Sequence, residues 1–430
     1  MNKERILLLA GNFYPEPTGI GKYNGEMVEW LAKQGHSCTV VTTFPYYPHW
    51  AVQSPYTKSC FLYKKETIVL EGGVPINVIR CPHYIPKNPS GAKRLLSEFS
   101  FFLSALFVLF YLFFKQKFSW VITIAPPFEI GLLGILYKVI RGGKFLYHIQ
   151  DLQIDAAKKF ILIRSNFIID FFFLVERFIL KNADSISTIS PGMQAKVKLK
   201  CTREILLFPN WVSTNLFFPI INKDAIKISF GFSISDKIIL YSGAIGHKQG
   251  LEAILATAKT LQHVPNLKFA ICGSGPYKDV LIKLKETLQL TNVVFLPLQP
   301  FATFNEFLNI ADLHLVIQKK FSGDLFLPSK LAAILSVGGV AIVTASINTS
   351  LYDLINSEKN GILIEPEDAA ALVNAITYFN DIQLKTMSVN ARSYAEKRLS
   401  SNIILKDFFG KIFITNKIAD ILIKEVLGPI

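Results

Sequence analysis

The chain has 430 residues, which is long enough for two domains with full cores. Half of the residues are hydrophobic, and the formal net charge is +14. The charge is uneven: residues 1–200 hold 24 lysines and arginines against 13 acidic residues, a net +11, and the remainder adds +3. A basic, apolar N-terminal half indicates an anionic partner, either a membrane surface or a nucleic acid. Its phenylalanines cluster in apolar blocks and do not alternate with basic residues, which favours the membrane surface and disfavours nucleic acid.

The cysteines and the N-terminus bear on the cellular compartment. The five cysteines are far apart, without a Cys-x-x-Cys pair or the histidine spacing typical of zinc: Cys38, Cys60, Cys81, Cys201 and Cys272. An odd number of scattered cysteines is typical of reduced, buried thiols in a cytoplasmic protein. The first apolar run, RILLLA, has about six residues, which is too short for a signal peptide and predicts a first strand.

The first half of the chain alternates apolar runs of the β type with helical patterns. The first run precedes a glycine-containing loop and a predicted helix over 21–34. Further strands are predicted for SCTVVTT, PINVIRC, SWVITIA, KFLYHIQ and SISTIS. This alternation predicts an α/β domain with a doubly wound parallel sheet. The rhythm breaks over 206–219, where proline, asparagine and aromatic residues predict a linker, and we set the first domain at residues 1–212.

The second half repeats the same alternation. Its predicted strands are KIILYSG, LKFAICG, NVVFLPL, ADLHLVIQ, GVAIVTA and NGILIEP. They predict a second α/β domain over 213–395, followed by a helical segment over 396–430. Two successive α/β domains predict a cleft between them, with ligands at the carboxyl ends of the strands.

The loop after the first strand contains two closely spaced glycines, Gly19 and Gly21, at the start of an amphipathic helix. Such glycines let the backbone approach a ligand, and the helix start offers free N–H groups to a phosphate. A plain structural turn explains the same residues. A dinucleotide site is disfavoured, because the third glycine comes one residue late, at Gly25, and no acidic residue follows about 20 positions on.

Three loops that follow predicted strands of the second half contain glycine, lysine or both. In YSGAIGHKQG, Gly243 precedes Lys248, and a lysine beside exposed backbone N–H groups suits a diphosphate. In ICGSGP, Gly273 and Gly275 would let a flat ring or a phosphate lie against the backbone. A structural turn or a solvated lysine is the alternative for any one of these loops.

The third loop, in LFLPSKLAAIL, places Ser329 and Lys330 at a predicted helix start, another arrangement that suits anions. All three loops follow predicted strands of one sheet, and the carboxyl ends of parallel strands meet at one edge. Together the loops therefore predict a nucleotide-diphosphate site in the second domain.

In the first domain, the run YHIQDLQIDAA ends a predicted strand with His148 and Asp151. Transfer of a group to a hydroxyl benefits from a positioned base, so we predict that this pair faces the cleft and acts in catalysis. The alternative is a histidine that only packs or forms a hydrogen bond at the strand end.

The stretch over 99–114, FSFFLSALFVLFYLFF, has no charged residue and raises the question of membrane crossing. Basic residues flank it on both sides: Lys93, Arg94, Lys115 and Lys117. A spanning helix needs roughly 20 apolar residues, and a strand-like run follows at once, so we expect a helix laid partly on the bilayer. A fully buried helix and a true span are the alternatives. A second phenylalanine-rich stretch, over 167–180, has the polar edge of an amphipathic helix.

Nine short pieces occur in order along nearly the whole chain: YPEPTGIGKYNGEMVEWLAKQGH, PYYPHW, QDLQIDAA, FPNWV, YSGAIGHKQGLEAI, LPLQPF, ADLHLV, LPSKL and GILIEPED. With these pieces the sequence resembles glycosyltransferase family 4, retaining enzymes of the GT-B fold, and in particular exopolysaccharide transferases of the colanic-acid type. Each piece alone is weak, and their order and spacing carry the resemblance.

The resemblance implies two Rossmann-like domains, the first binding the acceptor and the second the nucleotide sugar. It also implies that the helical segment over 396–430 packs back toward the first domain. Gly19 and Gly21 would then face the cleft near the donor phosphates or the acceptor. Lys248 would be a basic diphosphate ligand, and the GSGP loop would lie near the nucleotide base.

This sequence departs from the family pattern at one place. Many members carry two glutamates, separated by seven residues, around the helix after the sixth strand, whereas this chain reads SGDLFLPSKLAAIL there. Ser329 and Lys330 are expected to replace part of the missing contact to the donor. Asp324 is the only nearby carboxylate in the sequence, and the resemblance gives it no role.

These features predict a retaining hexosyltransferase that moves the sugar of GDP-fucose or a UDP-hexose to a lipid-linked saccharide in exopolysaccharide synthesis. Lys248 and Lys330 would stabilise the negative charge that develops on the departing diphosphate. The sequence shows no carboxylate triad for a metal, so we expect an enzyme without metal or other cofactor. We expect it in the cytoplasm, peripheral on the inner face of the cytoplasmic membrane. A nucleotide-sugar epimerase of the same fold, which needs no lipid acceptor, and a non-catalytic membrane-associated subunit are the alternatives.

Overall fold

The computed structural model describes residues 3–16, 19–159, 165–320, 329–378 and 380–413, which form two compact units. Unit 1 comprises Met1–Pro209 and the chain from Phe408 on, and unit 2 comprises Asn210–Asp407. The sequence set the domain boundary at 212 and began a third segment at 396. In the structure the division falls after Pro209, and the chain stays with unit 2 until Asp407.

The strands of unit 1 are β1 Arg5–Ala10, β2 Ser37–Thr43, β3 Lys64–Ile68, β4 Ile76–Cys81, β5 Trp120–Ala125, β6 Lys144–Ile149, β7 Ser185–Thr188 and β8 Ile205–Leu207. They form one sheet in the order β3-β4-β2-β1-β5-β6-β7-β8. The central strands are parallel, with Leu8 opposite Val40 on one side and Ile122 on the other. These strands are continuous apolar runs because helices cover both faces of a parallel sheet.

Two strands of unit 1 were missed in the sequence, and both are at the edges of the sheet. β3 is antiparallel to β4 and has the charged sequence KKETI, and β8 has three residues. The sheet is therefore mixed at one edge, whereas the sequence predicted a wholly parallel one. Glu66 of β3 pairs with Arg80 of β4, whose side chain is 1% exposed, so the charged edge strand is held by a largely buried ion pair.

The helices of unit 1 lie on both faces of the sheet. They are α1 Gly19–Lys33, α2 Gly91–Phe113, α3 Gly131–Arg141, α4 Gln153–Lys159, α5 Asn166–Asn182 and α6 Pro191–Lys198. Leu7, Val41 and Val121 point to the face where α2 and α3 pack, and α5 packs on α3 in turn. Trp120 points to the opposite face, because side chains alternate along a strand, and there it contacts Phe413.

A helix over 401–413 begins in unit 2, and its last turns, from Phe408 on, belong to unit 1. Phe408 stacks on Phe208 with the ring centroids 3.7 Å apart and the rings 2° from parallel. Phe409 stacks on Trp30 of α1 at 6.1 Å. Stacked aromatic rings bury large apolar areas, so these contacts hold the last described turns of this helix in unit 1.

Unit 2 has a smaller, wholly parallel sheet in the order β11-β10-β9-β12-β13-β14. Its strands are β9 Lys237–Ser242, β10 Leu267–Cys272, β11 Val293–Leu296, β12 Leu313–Val316, β13 Ala341–Thr344 and β14 Gly361–Ile364. Its helices are α7 Asp224–Ser229, α8 Glu252–Thr260, α9 Lys278–Thr287, α10 Phe304–Asn309, α11 Lys330–Ser336, α12 Ser350–Glu358, α13 Ala369–Thr377 and α14 Asp381–Tyr394. All six strands predicted for this half are present, and apolar clusters cover both faces of the sheet. The two units together are the pair of Rossmann-like sheets that the sequence predicted.

All five cysteines lie in the described part of the chain, and all are free thiols. Cys38, Cys81 and Cys272 are buried, as expected, and burial raises the pKa of Cys38 to about 12. Cys60 and Cys201 are partly exposed, so the expectation of five buried thiols was wrong for these two.

Two glycines let α3 approach its neighbours closely. A Cβ at Gly134 would stand 2.6 Å from Cδ2 of Phe145, and a Cβ at Gly131 would stand 3.0 Å from Cε2 of Tyr147. Real side chains do not come this close to a Cβ without moving. The sequence GLLG at the start of α3 therefore sets the distance between this helix and β6.

We expect Gly134→Ala to lower the free energy of unfolding by about 2 kcal/mol, because the new methyl overpacks against a fully buried ring. The gain in helix propensity from glycine to alanine, about 1 kcal/mol, acts in the opposite direction. Thermal or urea unfolding measures the change, with Val139→Ala at an exposed position of the same helix as the control. A Gly134→Ala protein as stable as the parent would contradict the packing argument.

Candidate functional site

The loops after β9 and β10 lie side by side at the carboxyl edge of the unit 2 sheet. The amide of Gly243 donates to the carbonyl of Cys272 at 3.0 Å, and the amide of Ile245 donates to the carbonyl of Ser274 at 2.9 Å. The pairing of the two strands thus continues past their ends into the loops. The sheet holds the two glycine loops as one surface at the edge where α/β sheets bind ligands.

The packing of these two loops requires glycine at Gly273 and Gly275. A Cβ on Gly273 would collide with the carbonyl oxygen of Gly243, and a Cβ on Gly275 would collide with that of Ile245. The close approach that these glycines allow is therefore to the neighbouring loop. A nucleotide ring or phosphate would have to approach these glycines from another side, and their role in donor binding stays a prediction.

Lys330 is brought beside Gly243 by the fold. Its Nζ lies 3.7 Å from the centre of the Tyr241 ring and 3.5 Å from the place of a Cβ on Gly243. Among the described residues, this buried ammonium has no hydrogen-bond partner. Burial lowers the pKa of Lys330 to about 7. A buried cation without an anion is costly, and a phosphate group beside it would relieve that cost.

A second group of charged side chains at this edge was missed in the sequence. Nζ of Lys319, after β12, lies 3.4 Å from Nδ1 of His247, and the His247 ring stands edge-on to Tyr277 at 5.4 Å. The Tyr277 hydroxyl donates to Glu252 at 2.7 Å. The sequence could have predicted this group, because Lys319 directly follows the predicted strand ADLHLVIQ. The other loops were identified by the same rule, that ligands bind at the carboxyl ends of parallel strands.

Of three further residues that the sequence singled out, two fall partly or wholly outside what the structure describes. Lys248 lies in the short 3-10 turn His247–Gln249, and its side chain is outside the described part. Ser329 is exposed, directly precedes α11 and makes no capping hydrogen bond with its side chain. Asp324 lies in the stretch 321–328, outside the described residues.

In unit 1, Gly21 makes room for a buried carboxylate. A Cβ at Gly21 would stand 2.6 Å from Oε2 of Glu16, which is 2% exposed. Glu16 accepts hydrogen bonds from the amides of Tyr46 and Tyr47 at 3.0 and 2.9 Å. Burial nevertheless raises its pKa, more than these bonds lower it. Glu16 therefore occupies the space beside Gly21, and the donor-binding role of Gly21 stays a prediction; Gly19 opens α1 at a φ of +63°, and its donor-binding role also stays a prediction.

His148 lies inside the core of unit 1. Its side chain is 2% exposed, Nδ1 is 2.9 Å from the Ser187 hydroxyl, and the ring packs on Phe208 at 5.0 Å. Burial lowers the pKa of His148 to about 3. The predicted catalytic base is therefore wrong for His148, because no substrate reaches a ring enclosed in this way. Asp151, two residues after the end of β6, is half-buried at the carboxyl edge of the sheet and stays a candidate for catalysis.

A pair of carboxyl groups missed in the sequence lies at the same edge of unit 1. Burial and the neighbouring Glu129 raise the pKa of Glu98, and burial raises the pKa of Glu129. Gln153 donates to Glu98 at 2.6 Å, and Oε2 of Glu129 has no partner among the described residues. No local sequence pattern predicted this pair, because the two glutamates come from α2 and from the turn before α3.

The pKa of Lys330 gives a test of its burial. In the unfolded chain this lysine has a pKa near 10.5. Its buried charge therefore lowers the free energy of unfolding most below pH 7, and this cost declines as the pH rises from 7 toward 10.5. We expect Lys330→Met to stabilise the protein, by about 2 kcal/mol more at pH 6 than at pH 9. Unfolding of both proteins at the two pH values measures this, with the exposed Lys283→Met as the control. An equal effect at both pH values would contradict a buried, unpaired ammonium.

The chain matches two protein families, one in each half. Residues 18–211 match the glycosyl transferase 4-like domain, and residues 222–398 match the glycosyl transferases group 1. Among curated proteins, it is 38% identical over 420 residues to the putative colanic acid biosynthesis glycosyl transferase WcaI of Escherichia coli K12. That alignment covers 95% of this chain and 99% of the relative.

Solved structures share the fold over nearly the whole chain. Sucrose-phosphate synthase from Thermosynechococcus elongatus superposes with a TM-score of 0.73 at 18% identity, covering 97% of this chain and 100% of the other. Anabaena HepE, solved with UDP and glucose, gives a TM-score of 0.68 at 13% identity, covering 95% and 99%. WaaG, a glycosyltransferase of lipopolysaccharide biosynthesis, gives 0.66 at 14% identity, covering 95% and 99%. The two family matches and a relative aligned from end to end show that this chain is a glycosyltransferase and belongs to family 4, with the GT-B fold.

Proposed function

We propose that this glycosyltransferase moves a hexose from a nucleotide-diphosphate sugar to a lipid-linked saccharide, with retention at the anomeric carbon, in the synthesis of a colanic-acid-type exopolysaccharide. The observation that carries the donor part is the buried ammonium of Lys330, which has no partner among the described residues and lies against the glycine loop after β9. The name of the Escherichia coli relative supports the polysaccharide class.

The carboxyl edge of unit 2 suits the diphosphate of the donor. Lys330 begins α11, and Lys319 lies in the loop after β12. Lys248 lies in the loop after β9, the loop that also contains Gly243. When the sugar leaves, negative charge grows on the diphosphate, and fixed cations in a protected site stabilise it more than water does. HepE was solved with UDP and glucose, which supports a UDP-hexose as donor, and GDP-fucose is the other candidate.

The carboxyl edge of unit 1 suits the saccharide of the acceptor. Arg94 lies over the Trp50 ring at 5.0 Å, and the Glu98–Glu129 pair would offer carboxyl groups to the hydroxyls of a sugar. Aromatic faces and carboxyl oxygens are the groups that sugar rings and hydroxyls contact. Asp151, at the end of β6, is the remaining candidate for the base that receives the acceptor proton.

We propose that the enzyme works without a metal ion or other cofactor. The described residues hold no group of three or more histidine, cysteine, aspartate or glutamate side chains placed to bind a metal. The cations of the donor site would take the role of a metal at the diphosphate. Transfer that continues in the presence of a chelator supports this, and transfer restored only by Mg²⁺ or Mn²⁺ contradicts it.

The proposed place of action is the cytoplasmic face of the cytoplasmic membrane. The outer side chains of α2 support it, since Phe99, Phe107 and Phe114 are 53, 66 and 89% exposed. An acceptor with a lipid tail lies in the bilayer, so an enzyme that uses it gains from contact with the membrane surface. An epimerase acting on soluble nucleotide sugars would have no such need.

We expect GDP or UDP, and not NAD, to raise the melting temperature of the purified protein. At about 100 times its dissociation constant, a ligand adds about 2.7 kcal/mol to the free energy of unfolding. The nucleotide that raises the melting temperature identifies the base of the donor. Stabilisation by NAD alone would contradict the donor site, and nucleotide binding without any sugar transfer would favour the non-catalytic subunit.

We expect Lys330→Ala and Lys248→Ala each to reduce kcat about a hundredfold, because each removes a cation from the charge that grows on the leaving group. The assay uses the nucleotide sugar that the melting experiment selects, and the anomeric configuration of the product tests retention. Lys283→Ala, on the exposed face of α9, is the matched control. Full transfer by either site variant would remove that lysine from the site.

A further inference from the structure

The outer surface of α2 carries a continuous apolar stripe. Its members recur every three or four residues and are 40 to 89% exposed: Leu96, Phe99, Leu103, Phe107, Phe110 and Phe114. The opposite side of the same helix is buried against the sheet, with Phe101, Ala105 and Leu109 in the core of unit 1. The helix is therefore apolar on both sides, and the core accounts for only one of them.

By length and composition alone, α2 is the one helix among the described residues that could cross a membrane. It is, however, tied to unit 1 along its whole length. The amide of Tyr84 donates to Ser100 at 2.9 Å, the Tyr63 hydroxyl donates to the carbonyl of Ser104 at 3.2 Å, and Lys65 donates to the Tyr111 hydroxyl at 2.9 Å. Crossing the bilayer would break these bonds and strip one face of the sheet, so α2 stays on the protein surface.

Neighbouring elements extend the stripe into a broad surface. α2 and α5 both pack on α3, so the three helices form one layer. α5 adds a stripe with the same spacing, and the end of α3 and the segment before β3 add further exposed apolar side chains: Phe167, Phe171, Leu174, Phe178, Val139, Ile140, Phe61 and Leu62. We call this surface, together with the α2 stripe, the apolar face.

Basic side chains accompany the apolar face. At the end of α2, Arg141 donates to the carbonyl of Lys115 at 2.9 Å, and Nζ of Lys117 lies 3.4 Å from the place of a Cβ on Gly142. Phe114, directly before Lys115, is 89% exposed. Other basic residues lie on the same elements or directly beside them: Lys65, Lys93, Arg94, Lys158, Lys159 and Lys181. Among the described residues of α2 and α5, Asp170 is the exposed carboxylate.

We propose that the apolar face docks unit 1 in the plane of an anionic lipid bilayer, with the phenylalanines in the interface and the lysines and arginines at the phosphates. The charge selects this occupant, because two copies of a basic face would repel each other, whereas an anionic surface attracts it. The inference deepens the proposed membrane location. It adds α5, the end of α3 and the segment before β3 to the membrane contact. It also places α2 in the interface of the bilayer and not across it.

The test measures flotation of the full-length protein with vesicles of phosphatidylcholine alone or mixed equally with phosphatidylglycerol. We expect binding to the anionic vesicles that weakens with salt. The double variant Phe107→Gln/Phe171→Gln should weaken binding at least tenfold, since each ring buries apolar area in the interface. Lys115→Gln/Lys117→Gln should weaken binding to anionic vesicles only. Ile221→Gln/Ile382→Gln, at exposed positions of unit 2, is the matched control.

Several outcomes would overturn the proposal. Unchanged flotation of the double phenylalanine variant would do so, as would protein that resists extraction with alkaline carbonate, because that behaviour belongs to a spanning helix. A dimeric parent that becomes monomeric in the same variant would show a second copy on the face. Nucleotide-induced stabilisation is measured on every variant and should not change. A protein that floats as expected but transfers no sugar would leave the docking face standing and refute the proposed function.

Discussion

The parallel pairing of strands is the constraint on which both candidate sites depend. Parallel strands all end at one edge, so the loops that leave them converge although they are far apart in sequence. In unit 2 this brings Gly243, Gly273 and Lys330 together, and the backbone pairing beyond β9 and β10 fixes the loops against each other. In unit 1 the same constraint places Asp151 at an edge that it shares with the turn holding Glu129.

The glycines show how one residue type serves different ends. Gly21, Gly134, Gly273 and Gly275 all stand where a Cβ would meet other protein atoms, and those atoms belong to the fold itself. A sequence reader sees only that a close approach is needed. Whether the approaching group is a ligand, a carboxylate such as Glu16 or the neighbouring loop depends on packing that the sequence does not display.

Apolar residues in this chain lie in two different surroundings, the protein core and the exposed surface of unit 1. The strands and the inner side of α2 are apolar because they leave water for the core, and the outer sides of α2 and α5 are apolar in addition to that. The core requirement explains Phe101 and Leu109, and it does not explain Phe107 or Phe171. A glycosyltransferase with a lipid-linked acceptor would use such a surface, and the same layer of helices that covers one face of the unit 1 sheet presents it.

The sequence by itself determined the two-sheet architecture, because buried parallel strands are continuous apolar runs separated by helical periods. It also singled out Lys330, since a lysine at a helix start after a strand is a local pattern. It missed β3 and β8, which are edge strands without a long apolar run. The tertiary structure decided the rest: that His148 is enclosed by Ser187 and Phe208, that Glu98 meets Glu129, and that α2 is fastened along its length. Each of these depends on contacts between residues distant in the chain, and burial and partners of that kind are set by the packing of whole elements, which no local pattern encodes.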